Sequence, residues 1–218
     1  MNKTQILEQT ISFVKETLKD AEGGHDWFHI ERVYNNAKLI AKEESADVFI
    51  VSIGALLHDI ADSKFHDGDE TVGPRVARAF LEKQEVPQEV ILHIENIINH
   101  ISYKSNLSRE QTFSSPELDV IQDADRLDAI GAIGIARCFN YGGFKNRALY
   151  DPNIAPNLNM SKEAYKSSSA PTINHFYEKL LLLKDKMNTK TGKRIAHERH
   201  AYMERFLAQF YKEWNGEC

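Results

Sequence analysis

An all-α, single-domain fold is predicted by three observations. Apolar residues recur at spacings of three and four along most of the 218-residue chain, the period of a helix with one buried face. No segment shows the strict alternation that a half-buried strand requires. No linker justifies a division into two domains, so residues 1–218 are read as one. Hydrophobic residues at 42% and charged residues at 27% fit a globular chain, and this length buries a substantial core.

The elements follow in order. Leu7, Ile11, Val14 and Leu18 predict a first helix with Thr4 as N-cap and Gly23-Gly24 as its end. Asp26 sits where the next N-cap belongs, and Ile30, Val33, Ala37 and Ile40 form the stripe behind it. A third helix, from about Asp47 to Ala61, is apolar on most sides and is expected to be central. Helices are then expected over Thr71–Gln84, Gln88–Ile101 and Pro116–Asp128, with another continuing through Ala129 to Asn140. Tyr141–Pro171 holds Gly142-Gly143, Pro152, Pro156 and Pro171, and reads as a surface excursion. Helices around Ile173–Lys186 and Lys190–Trp214 close the chain. Tyr202, Phe206, Phe210 and Trp214 keep a spacing of four, which reads as core.

Composition narrows the function. The net charge of -5 gives no case for long nucleic acids as partners, though a single nucleotide needs only a local basic cluster. No apolar run approaches the roughly 20 residues that span a bilayer, and no signal-peptide pattern is seen at the N-terminus. The expectation is a cytoplasmic protein, monomer or homodimer, with no membrane partner. Cys138 and Cys218 suggest neither a disulfide framework nor a zinc motif.

Four segments place metal-ligand side chains beside apolar helical faces. His29 lies four residues before Val33, so its ring borders the core stripe, and Arg32 shares that side. The pair His58-Asp59 ends an almost wholly apolar helix. Neighbouring helical residues point about 100° apart, so both can reach one ion in the angle between them. Asp62 lies one turn beyond. Asp125 and Asp128 share a face of the Pro116–Asp128 helix, and His93, Asn96 and His100 share a side of the helix before it. Two imidazoles and two carboxylates suit Mn, Fe, Ni or Zn better than the all-oxygen ligands of calcium. Each piece alone also reads blandly: a core histidine, a salt bridge from Asp59 to Arg32 or Arg126, a turn cap at Asp62, or Asp128 paired with Arg126 or Arg137.

The ordered set resembles the H…HD…D signature of the HD-domain phosphohydrolases. It is carried by His25-Asp26-Trp27-Phe28-His29-Ile30-Glu31-Arg32-Val33, Leu56-Leu57-His58-Asp59-Ile60-Ala61-Asp62 and Asp123-Ala124-Asp125-Arg126-Leu127-Asp128-Ala129-Ile130-Gly131. The sequence looks closest to small stand-alone bacterial members, some of which release pyrophosphate from nucleoside triphosphates. The motif core is about residues 25–137, and helices at about 172–214 fit the same subgroup. The resemblance implies the helical HD-domain fold and one divalent ion (Mn, Mg, Ni, Co, Fe or Zn) held by His29, His58, Asp59 and Asp125. It implies that Asp62, Lys64 and Glu70 line the pocket: a carboxylate orienting the attacking water, Lys64 holding phosphate. Arg32, Lys104, His100 and Asp128 are the expected substrate-binding residues. The expected function is hydrolysis of a small phosphorylated substrate, foremost a nucleotide. A phosphodiesterase of the HD type and a non-catalytic nucleotide-binding sensor stand as alternatives, with a two-iron oxygenase behind them.

Overall fold

The computed structural model describes residues 2–21, 26–61, 69, 71–101, 113–160 and 168–217. Among them every regular element is a helix, as the periodicity predicts. The chain divides into two compact units, residues 1–125 and 126–218. The first holds α1 (Lys3–Thr17), α2 (Trp27–Ala41), α3 (Val48–Leu57), α4 (Val72–Lys83) and α5 (Gln88–His100). It also holds most of α6 (Pro116–Asp128), whose residues from Arg126 onward belong to the second unit.

Helix α1 begins two residues earlier than the sequence suggests. Asn2, not Thr4, is the N-cap: its Oδ1 accepts from the Thr4 N–H at 3.1 Å, and Gln5 Oε1 accepts from the Asn2 N–H at 3.4 Å. This reciprocal arrangement satisfies two amides that would otherwise lack partners. The buried line is Ile6, Thr10, Val14 and Leu18, with Leu7 and Ile11 at its edge. Thr10 tolerates burial because its hydroxyl donates to the Ile6 carbonyl at 2.7 Å.

Helix α3 is the centre of the first unit. Asp47 caps it, accepting from the Phe49 and Ile50 amides at 2.7 and 3.1 Å. Every residue from Val51 to Leu57 is buried. Each large aliphatic side chain among them contributes about 1.5–3 kcal/mol by leaving water, which fixes both ends of a short helix. The Asp47 amide also donates to Glu117 Oε1 of α6 at 2.9 Å. The helix stops at Leu57, short of the predicted Ala61, with His58 as its C-cap.

The second unit contains α7 (Gly131–Phe144), the short α8 (Asn174–Glu178), a 3₁₀ helix over Leu180–Lys186 and the long α9 (Lys190–Asn215). Three sequence expectations are corrected here. The helix expected to run on through Ala129 is interrupted, because Gly131 takes a φ of 75°, a left-handed conformation that glycine adopts without penalty. Gly142-Gly143 lies inside α7 rather than opening a loop. A Cβ on Gly142 would sit 2.2 Å from Thr172 Oγ1, so that glycine serves a close approach. The single helix expected over Ile173–Lys186 is split at Lys179, whose φ of -144° and ψ of -57° are not helical.

The aromatic stripe of α9 is also not its core line. The buried line is Ile195, Ala196, His200, Met203 and Leu207, while Tyr202 and Trp214 are half exposed. Phe206 and Phe210 instead border it and join a ring cluster: Phe176–Phe206 centroids lie 5.9 Å apart, Phe139–Phe176 6.0 Å and Phe210–Trp214 6.1 Å. Among the described residues, no helix is long and apolar enough to cross a membrane.

Candidate metal centre

Three helices of the first unit bring three ligand side chains together. His29 lies in the first turn of α2. Asp26 caps that turn as expected, accepting from the His29 N–H at 2.9 Å, so the cap fixes the backbone of the residue that carries the ring. Ile30 and Val33 behind it are fully buried. His58 ends α3, anchored by the buried run before it. Its Nδ1 lies 2.8 Å from the Ala55 carbonyl. A carbonyl only accepts, so Nδ1 carries the proton and Nε2 presents its lone pair. Asp125 is in the last turn of α6.

One ligand atom from each of His29, His58 and Asp125 lies within 4.8 Å of the other two. Asp125 Oδ1 stands 3.5 Å from His29 Nε2 and 4.0 Å from His58 Nε2, and the two rings meet edge-on with centroids 5.5 Å apart. These separations exceed the roughly 2.7–3.0 Å of a good charge-assisted hydrogen bond. They match atoms that share a cation at about 2.0–2.2 Å each, which are held roughly 3.0–4.4 Å apart. The imidazoles are 3% and 7% exposed as residues, whereas the Asp125 side chain is 42% exposed. The nitrogen ligands are thus fixed in a dry wall and the carboxylate closes the open side. A borderline divalent cation fits such a mixed nitrogen and oxygen set.

Two contacts outside the motif set the packing around α6, one of them between the helices that carry His58 and Asp125. Gly54 is one turn before His58, and Ile121 is one turn before Asp125. A Cβ on Gly54 would fall 2.6 Å from Ile121 Cδ1, so the glycine lets α3 and α6 approach at the level next to the ligands. An isolated glycine in an apolar helix is a signal for such packing, and it was available in the sequence. Gln122, 3% exposed, donates from Nε2 to the His100 carbonyl at 2.9 Å. That bond ties the end of α5 to α6 one turn from Asp125.

The other expected site residues divide into three groups. Asp59 is half-buried and engaged in contacts, but it is not one of the three converging residues. Arg32 is likewise half-buried and engaged, one turn along α2 from His29. His100 is half-buried at the end of α5. Asp128 is 1% exposed and its carboxylate receives Nη1 of Arg137, the ion pair that the sequence offers as its plainer role. Asp62, Lys64, Glu70 and Lys104 lie outside the described residues. His93 does not join the cluster: its Nε2 faces Ser115 Oγ at 3.2 Å and Glu117 Oε2 at 3.3 Å.

Comparison with known proteins agrees with this geometry. The HD domain family model matches residues 27–130, a span that contains all three converging residues. An HD-superfamily hydrolase from Bacillus thuringiensis superposes with a TM-score of 0.79 at 43% identity, over 98% of this chain and 99% of that one. A Lactobacillus plantarum protein gives 0.79 at 39% identity, over 99% of each chain. The Bacillus subtilis protein YpgQ is 38% identical over 99% of this chain and 97% of its own length. Its crystal structure in complex with ADP superposes at a TM-score of 0.74 and 34% identity, covering 98% of this chain and 97% of that one. A buried imidazole pair facing a carboxylate, carried on the HD fold along the whole length of such relatives, places this chain in the HD-domain superfamily of metal-dependent phosphohydrolases.

Proposed function

We propose that the protein hydrolyses a phosphate bond of a nucleotide, foremost a nucleoside triphosphate with release of pyrophosphate. The observation that supports this reading above others is the convergence of one ligand atom each from His29, His58 and Asp125, with the His58 Nε2 lone pair left open by its Nδ1 contact. The nucleotide part is supported by the likeness to YpgQ, a protein crystallised with ADP.

In this reading one divalent ion is held by His29, His58 and Asp125, with Asp59, the neighbour of His58, as a fourth ligand. When bound, it polarises a phosphoryl oxygen and makes water a better nucleophile near neutral pH. The Nδ1–H of His58 stays on the Ala55 carbonyl, so its Nε2 remains a ligand atom and never a proton donor. Asp62 or Glu70 orients the attacking water and accepts its proton. Lys64, Lys104 and Arg32 neutralise the phosphates, since positioned cations carry much of the catalysis in phosphoryl transfer. His100 contacts the remainder of the substrate.

The test is a screen of phosphate and pyrophosphate release over nucleoside tri-, di- and monophosphates with Mn²⁺, Mg²⁺, Co²⁺ and Ni²⁺. Pyrophosphate and nucleoside monophosphate in equal amounts are expected from a triphosphate. Release from simple phosphomonoesters alone would replace this reading with a phosphatase, and release from no nucleotide would remove it.

A further inference from the structure

His100 is held in a way that dictates what it can bind. Its Nδ1 lies 2.8 Å from the Asn96 carbonyl, one turn back on α5. As at His58, the carbonyl requires the proton to be on Nδ1, so the neutral ring offers a bare lone pair at Nε2. Among the described residues no partner takes that Nε2. The ring is steadied by Phe113, its centroid 5.4 Å away. The backbone is steadied by the buried Gln122 amide on the His100 carbonyl. Backbone, tautomer and one ring face are therefore all fixed, while the acceptor atom stays available. A neutral acceptor is the wrong partner for a phosphate oxygen, which needs a donor. It is the right partner for a hydroxyl.

Position selects which hydroxyl. Gln122 lies one helical turn before the metal-facing Asp125, a rise of about 4.5 Å. His100 is attached to that level of α6. In a nucleotide cut at the α-phosphorus, the group that follows the reacting phosphate is the sugar. We propose that His100 is a specificity-determining residue whose Nε2 accepts a hydrogen bond from a sugar hydroxyl of the substrate, with Gln122 as the positioning residue that braces it. This rests on the nucleotide reading above and assigns one of its contacts.

The experiment compares ATP, 2′-deoxy-ATP and 2′,3′-dideoxy-ATP with the Mn²⁺-loaded protein at about pH 8, where a free imidazole is neutral. Both kcat/KM and calorimetric binding are measured. A site built around a hydroxyl discriminates strongly against the analogue that lacks it. Removal of one hydroxyl should therefore lower kcat/KM at least about tenfold. His100→Ala should flatten the series, and His100→Gln, which keeps an acceptor, should restore part of the slope. Gln122→Met should raise KM for the hydroxylated nucleotides with the metal content unchanged. A residue that only supports folding would lower the melting temperature and leave the hydroxyl preference as it was. The proposal is overturned if the native protein treats the three nucleotides alike, or if His100→Ala keeps the native preference. If the nucleotides bind with the hydroxyl preference but none is hydrolysed, the hydrolytic reading fails and the assignment of His100 stands. If none binds, both fall.

Discussion

The two compact units solve opposite problems with buried polar groups. In residues 1–125 the buried imidazoles of His29 and His58 turn their Nε2 atoms toward a half-exposed carboxylate. In residues 126–218 the buried Asp128 is neutralised internally by Arg137, and the Arg199 guanidinium donates to the Leu127 carbonyl at 2.5 Å. Burying a charge is costly unless a partner offsets it. The second unit supplies its own partner. The first buries neutral imidazoles whose Nε2 atoms face a carboxylate that stays in touch with solvent, a set that a divalent cation would complete. The difference teaches that burial alone does not mark a site; what marks it is a group of ligand atoms that face one another without pairing into an ion pair or a close hydrogen bond.

The largest expected effect breaks that contrast directly. His58→Ala should abolish metal retention and turnover, seen by elemental analysis of the purified protein and by phosphate release, with only a moderate loss of melting temperature. Phe176→Ala in the ring cluster should do the reverse. It should cost about 3–5 kcal/mol of stability, read by urea unfolding, while the folded fraction keeps its metal. A native content of two metals per chain would move the assignment toward the phosphodiesterase alternative.

Arg137→Met tests the self-sufficient pair. It removes one of the two cations that act on the buried Asp128 carboxylate, Arg199 being the other, and should cost about 1–3 kcal/mol, with kcat unchanged. Loss of activity at unchanged stability would return Asp128 to the substrate site.

Two glycines sharpen the comparison at smaller cost. Gly54→Val presses on Ile121, the flexible end of a side chain, and should cost about 1–3 kcal/mol. Because those helices carry His58 and Asp125, metal affinity should weaken with it. Gly142→Ala meets Thr172 and should lower stability by a similar amount with no change in metal affinity. Equal effects on the metal would mean that the Gly54 contact does not set ligand spacing.

An effect confined to acid solution is a pH dependence of the second unit. Burial, reinforced by the Lys179 and Arg147 cations, pushes His175 down to about 4 from the ordinary 6.5. The folded state therefore binds fewer protons than the unfolded chain between those values. The stability this neutral ring contributes is complete above pH 6.5 and is lost as pH falls toward 4. Melting temperatures over that window should fall less steeply in His175→Gln.

The sequence exposed the helices that bury one face and the ligands at their ends. The Asp26 cap, the stripe through Ile30, Val33, Ala37 and Ile40, and the apolar α3 are all local patterns, and local patterns survive folding. It misled where the deciding contact is distant. Gly142-Gly143 looked like a break because its neighbour Thr172 is thirty residues away in sequence. The α9 aromatics looked like core because large rings outweigh Ala196 and His200 on a hydrophobicity reading, although the smaller residues face inward. Asp128 and Asp125 share a helical face, and periodicity alone could not say that Arg137 claims one of them.

The placement of His58 at the C-cap of α3 also bears on charge. The end of a helix carries about half a negative elementary charge in its unpaired carbonyls. A dication bound there is partly neutralised by peptide dipoles, so fewer acidic side chains are required to retain it.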